Sequence, residues 1–128
     1  MQKQDELVKY RLEKSDEEIN NARIALEHQL FRSAVSASYY AMFHAARALL
    51  AKHELSSKSH SGLISVFSQN FVKPGLVDKN IGRILTDAYN LRIESDYEDF
   101  FYLEFDEAKE SVDSAMLFVE YIQRMINS

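Results

Sequence analysis

Cysteine and tryptophan are absent from this chain of 128 residues, proline occurs once and glycine three times. Without a thiol there is no disulfide framework, no thiolate zinc site and no cysteine nucleophile. A reducing cytoplasm suits such a chain. Four helix breakers are too few for a sandwich or barrel, which needs a turn signal about every 8–12 residues. No apolar run approaches the roughly 20 residues of a membrane span. The start, Met1-Gln2-Lys3-Gln4-Asp5-Glu6, has no apolar core of a secretory signal. The expected protein is therefore cytoplasmic and makes no membrane contact. Excess positive charge is also lacking: 15 Lys+Arg stand against 20 Asp+Glu, a net charge of −5. The field of the whole molecule repels nucleic acid, so a nucleotide or RNA contact needs a local basic site. What is present is 46% hydrophobic residues with 27% charged ones, enough to bury a core, and residues 1–128 are expected to form one domain.

The apolar positions follow a helical rhythm. Val8, Leu12, Ile19, Ala22 and Leu26 line one face of a first helix, about Asp5 to His28. After a break at 29–32, Ser33 to Lys52 predicts a second helix with a small-residue stripe, Ala34, Ala37, Ala41, Ala45 and Ala48. It is apolar on most of its surface and so is placed centrally. Ser59 is a candidate N-cap for a short helix carrying Leu63, Ile64, Phe67 and Phe71, which Pro74-Gly75 ends. Asp78 offers a cap for a fourth helix with Ile81, Ile84, Leu85, Ala88 and Leu91 inward. Tyr97–Phe105 breaks that rhythm with five aromatics, and a last helix starts at Asp106, its stripe running from Ala108 to Ile126. The predicted fold is all-α, an antiparallel up-and-down four-helix bundle with an additional short helix.

Arg92 is the most informative residue. At about 100° per residue it lies about 20° around its helix from Leu85, on the inward face. A guanidinium there must meet a carboxylate, a phosphate or water. Asp96, four residues on, can pair with it as a structural brace. An arginine at a cleft mouth equally suits phosphate recognition. On the second helix Ser36, Tyr40, His44 and Arg47 share one face, at steps of four, four and three. Such a polar line is either a hydrogen-bonded core network or the wall of a site, and the network is the plainer reading of His44. His60, at the start of the short helix, is read most simply as solvent-exposed, and alternatively as an anion contact. Tyr97, Phe100, Phe101, Tyr102 and Phe105 fit core cover better than base stacking. No His-Glu-x-x-His, Glu-x-x-His, phosphate-cradling glycine loop or Gly-x-Ser-x-Gly elbow occurs, so neither a metal site nor a cofactor is expected.

The run Ser38-Tyr39-Tyr40-Ala41-Met42-Phe43-His44-Ala45-Ala46-Arg47-Ala48-Leu49-Leu50, the segments Ser59-His60-Ser61-Gly62-Leu63-Ile64 and Phe71-Val72-Lys73, and Leu91-Arg92 with Ser95-Asp96-Tyr97 resemble the prokaryotic HEPN domain over nearly the whole chain. The resemblance implies a helical bundle that forms a homodimer and pairs with a minimal nucleotidyltransferase in a toxin–antitoxin-like system. It also implies, for many members, metal-independent RNA cleavage by an Arg followed four to six residues later by a His. Arg92 matches that arginine, but Tyr97, Glu98 and Asp99 stand where the histidine would be. The expectation is thus a nucleotide- or RNA-binding protein using Arg92, Asp96, Tyr97, Arg47, His60, Tyr40 and His44. The alternatives are a weak endoribonuclease in which His44 or His60 completes the site with Arg92, and a purely structural dimeric module. A small-residue stripe on the second helix and an apolar line of Phe118, Tyr121 and Met125 are the features that suggest dimerisation.

Overall fold

The computed structural model describes residues 2–99 and 101–128, and all regular secondary structure over them is helical. Five helices follow in order: α1 (Gln2–Glu27), α2 (Phe31–Lys52), α3 (His60–Phe67), α4 (Lys79–Tyr97) and α5 (Phe105–Asn127), with a π-helical turn, Ser68–Val72, continuing α3. No described helix is long and apolar enough to cross a membrane.

Helix α2 is the hub, packing against α1, α5, α4 and α3. Its composition makes this possible. Ala34, Ala41, Ala45, Ala46 and Ala48 are fully buried, and their small side chains let α1 and α5 approach the α2 backbone closely. Two buried hydroxyls are satisfied by helix carbonyls: Ser15 Oγ donates to Ala41 O and Ser38 Oγ to Ala34 O, both at 2.7 Å. Leu49, Leu50, Leu63, Phe67, Leu85, Phe118 and Ile122 fill the core between them. The alanine stripe expected to support dimerisation, apart from half-buried Ala37, is therefore consumed inside the chain's own bundle, and Phe118 with it.

Helix ends follow local chemistry. Gln29 and Glu54 adopt left-handed φ values of 60° and 57° just beyond α1 and α2. The next amides, Leu30 N and Leu55 N, return to Ala25 O and Leu50 O at 2.8 Å, closing both helices without glycine. Ser59 Oγ accepts from Gly62 N at 2.9 Å and Asp78 Oδ1 from Asn80 N at 2.8 Å, as their cap positions predict. Helix α5 begins at Phe105, earlier than the expected Asp106, because Glu104 and Glu107 form a reciprocal capping box. The segment before it is tied to α2 by Arg32, which donates to Phe101 O at 2.6 Å, and by edge-on contact of Phe31 with Phe105.

Candidate functional site

The floor of the site is aromatic and belongs to one turn and a half of α2. Tyr39 is fully buried, and its ring lies 5.4 Å from Tyr40 and 6.0 Å from Phe43. Burial raises the Tyr39 phenol well above its ordinary pKa, so it stays protonated.

Arg92 crosses onto this floor from α4. Its guanidinium carbon sits 5.2 Å from the Tyr40 ring centre and 5.8 Å from that of Tyr39. The Arg92 side chain is 19% exposed, and its Nε lies 3.0 Å from Asp96 Oδ2 but out of line for a hydrogen bond. The expected ion pair therefore forms as a contact of charges, with Asp96 exposed to water beyond it. Arg92 thus meets both conditions an inward cation requires, a counter-charge and an opening.

The polar line of α2 meets Arg92 on the same floor. Tyr40 lies beneath the guanidinium, and Arg47 places its own guanidinium 5.5 Å from the Phe43 ring centre. His44 packs edge-on to Phe43 at 5.4 Å. The hydrogen-bonded core network expected for His44 is not what forms: its Nδ1 is buried without a partner. Burial, and after it Lys14, Arg47, Arg11 and His60, push its pKa down to about 4, so the ring is neutral at pH 7.

His60 differs most from expectation. It is half-buried, stacked on Phe43 at 4.3 Å, with Nδ1 2.7 Å from Tyr39 Oη. The solvent-exposed helix start is thus incorrect, because α3 lays its first turn against α2. Gly62 is what permits the approach of the preceding loop. A Cβ there would meet Ser57 Oγ at 2.5 Å and Ser59 Oγ at 2.7 Å. Burial, then Arg92 and Arg47, hold the His60 pKa below its ordinary value.

Two cations of α1 complete the rim and escaped the sequence reading. Arg11 donates to Arg47 O at 3.0 Å, and burial together with Arg47 lowers its pKa. Lys14 is close enough to act on His44. Among the described residues Arg11, Lys14 and Arg47 make no ion pair. Arg11 lies about 40° around α1 from Ser15, whose burial a serine does not announce in the sequence, so the periodicity that marked Arg92 beside Leu85 left no mark here.

Tyr97 does not join the site. It lies about 140° around α4 from Arg92 and is 75% exposed. Tyr102 is exposed as well, so neither covers the core as expected, whereas Phe105 packs on Phe31. Phe100 lies outside the described residues. Among the described residues no cluster of three or more His, Asp or Glu could hold a metal ion.

Comparison with known proteins agrees with this architecture. Residues 8–125 match the HEPN domain family. A protein of Methanocaldococcus jannaschii named "Putative toxin" is 38% identical over 115 residues, covering 90% of this chain and 85% of that one. A "UPF0332 protein" of Thermotoga maritima is 29% identical over 126 residues, 98% of this chain and 96% of that one. The crystal structure of an archaeal HEPN homologue superposes with a TM-score of 0.67 over 93% of this chain and 97% of the other, at 19% identity, which supports the fold.

Proposed function

The chain belongs to the HEPN domain family, and from that membership we propose that it is the RNA- or nucleotide-binding component of a toxin–antitoxin-like pair, with a nucleotidyltransferase as its partner. The observation that carries the binding role is the cationic rim around Tyr39, Tyr40 and Phe43. Arg92 lies over Tyr39 and Tyr40 and Arg47 over Phe43, with Arg11 and Lys14 acting on neighbouring His44, in a chain of net charge −5. Desolvated, partly stacked guanidinia recognise phosphate through their planar fork. Aromatic faces beside them accept a base. The toxin designation of the archaeal relative supports the pairing.

The test is binding of a fluorescein-labelled ten-nucleotide single-stranded RNA, followed by anisotropy at several salt concentrations. Binding is expected, with log K falling by about 0.7 per phosphate contact for each tenfold rise in salt. Affinity absent at low salt removes this reading, and affinity indifferent to salt removes the role of the cationic rim.

The second reading, a slow endoribonuclease, is favoured by one observation, the presence of His60 on the same rings as Arg92. Labelled RNA incubated without divalent metal would reveal it.

The protein is also proposed to be a homodimer. With most of the α2 stripe buried, the apolar groove that suits this is on α5: Leu117 is 54% exposed and Met116 41%, and Leu117 shares a groove with Tyr121 and Met125. Sedimentation is expected to give a dimer at micromolar concentration, and Leu117→Arg to dissociate it. A wild-type monomer would refute the proposal.

A further inference from the structure

The pairing of Tyr39 with His60 is decided by the placement of one hydrogen. Tyr39 is fully buried, and its hydroxyl has one hydrogen to place. Among the described residues its hydrogen-bond partner is His60 Nδ1, at 2.7 Å. Were Nδ1 to carry a proton and donate to the phenol, the phenol's own hydrogen would be left in the core without an acceptor, which is unfavourable. Both groups are satisfied when Tyr39 donates to Nδ1. The ring proton then sits on Nε2, at the edge of the imidazole away from Tyr39. His60 also lines an open pocket of about 200 Å³, with Arg47, Ser57 and Lys58 around it. Arg92 stands over the same two tyrosines that the His60 ring touches, at 5.7 Å from Tyr39 and 5.8 Å from Tyr40.

We propose that Tyr39 fixes His60 as a neutral Nε2–H donor to a phosphate in the pocket that His60 lines with Arg47 and Lys58, on the same aromatic floor as Arg92. This rests on the anion-binding reading above and assigns a role within it. Tyr39 is a positioning residue; His60 touches the ligand. A neutral N–H donor does not take the proton from a ribose 2′-hydroxyl, so in this arrangement His60 grips RNA and is not the base of the endoribonuclease reading. Proton position also sets how the ring responds to its neighbours. Protonating Nδ1 would displace the Tyr39 hydrogen, and burial, Arg92 and Arg47 already oppose a charge there.

Histidine-selective ¹⁵N spectra of the whole protein test the tautomer without any ligand. The expected result is His60 with its proton on Nε2, titrating below the ordinary histidine range, and a rise of its pKa in Tyr39→Phe, which removes the donor that favours the neutral ring. A proton on Nδ1, or a fall in Tyr39→Phe, overturns the proposal, since a phenol accepting from the imidazolium would favour the charged form. With the ten-nucleotide RNA, His60→Ala is expected to lose about tenfold in affinity, while His60→Gln, whose amide reaches the Nε2 position, stays within about threefold of wild type. RNA binding unchanged in His60→Ala overturns it. If wild type binds no RNA, the RNA reading alone falls, and inorganic pyrophosphate decides the rest: a shift of the His60 Nε2–H signal upholds the donor role, and no shift overturns it.

Discussion

Arg92→Ala is expected to weaken RNA binding by tenfold to about a hundredfold, the equivalent of roughly 1.5–3 kcal/mol for one lost charge-assisted contact. The Arg92 side chain is only 19% exposed, so the phosphate it meets is partly desolvated and the contact is worth more than one at an open surface. Arg92→Lys keeps the charge but loses the fork and the planar stacking over Tyr40, and should fall between alanine and wild type. The fold should survive the change. What the protein loses is two cation–ring contacts and an ion pair with an exposed Asp96, about 1–2 kcal/mol. That is a drop of several degrees in Tm for a chain of this size. Anisotropy and thermal melting of the same three proteins separate the two roles. Severe destabilisation of Arg92→Ala, in a wild type that binds no RNA, would make Arg92 and Asp96 a brace of the bundle and nothing more.

The helices were legible because each buries one face at a 3.6-residue period, and Arg92 was legible as an interruption of that period beside Leu85. Tyr40, His44 and Arg47 were legible by the same spacing; of these Tyr40 lies beneath Arg92, while Arg47 lies over Phe43 and His44 beside Tyr40. Less visible was everything that depends on one helix lying across another. His60 reads as an exposed helix start along the chain, and becomes part of the site because α3 packs its first turn onto Phe43. The α5 start was misplaced for a different reason. Glutamate is a poor cap alone and becomes one only with Glu107 returning to its backbone amide. Gln29 and Glu54 end helices in a conformation that favours glycine, so neither end carried its usual mark. The apolar surplus that suggested dimerisation came from counting the α2 stripe as free surface although the same helix is placed centrally, and its enclosure spends most of its alanines and Phe118 internally.

The second large effect is loss of stability on mild acidification, traced to His44. Its pKa is about 4 in the folded chain against an ordinary value of 6.5, so between those values the unfolded chain holds more protons than the folded one. Stability is therefore independent of this group above about pH 6.5 and falls as the pH drops from there toward 4. A shift of this size corresponds to at most about 3 kcal/mol. Partial solvent contact reduces the expected loss to roughly 1–2 kcal/mol. The groups responsible come from three helices: Lys14 and Arg11 of α1, Arg47 of α2 and His60 of α3 all oppose a charge on His44, after burial itself. Urea unfolding of wild type and His44→Gln at pH 7, 6, 5 and 4.5 checks this, since carboxylate titration is common to both and cancels in the difference. Wild type should lose stability relative to the variant as the pH falls, and parallel curves would remove His44 as the cause. A bound anion reverses the sign of the local field. By linkage, phosphate binding then takes up a proton below pH 6.5, and wild-type affinity for inorganic pyrophosphate should rise on acidification more than that of His44→Gln. The same crowding of positive charge that makes the empty bundle sensitive to acid is what an anionic ligand would relieve.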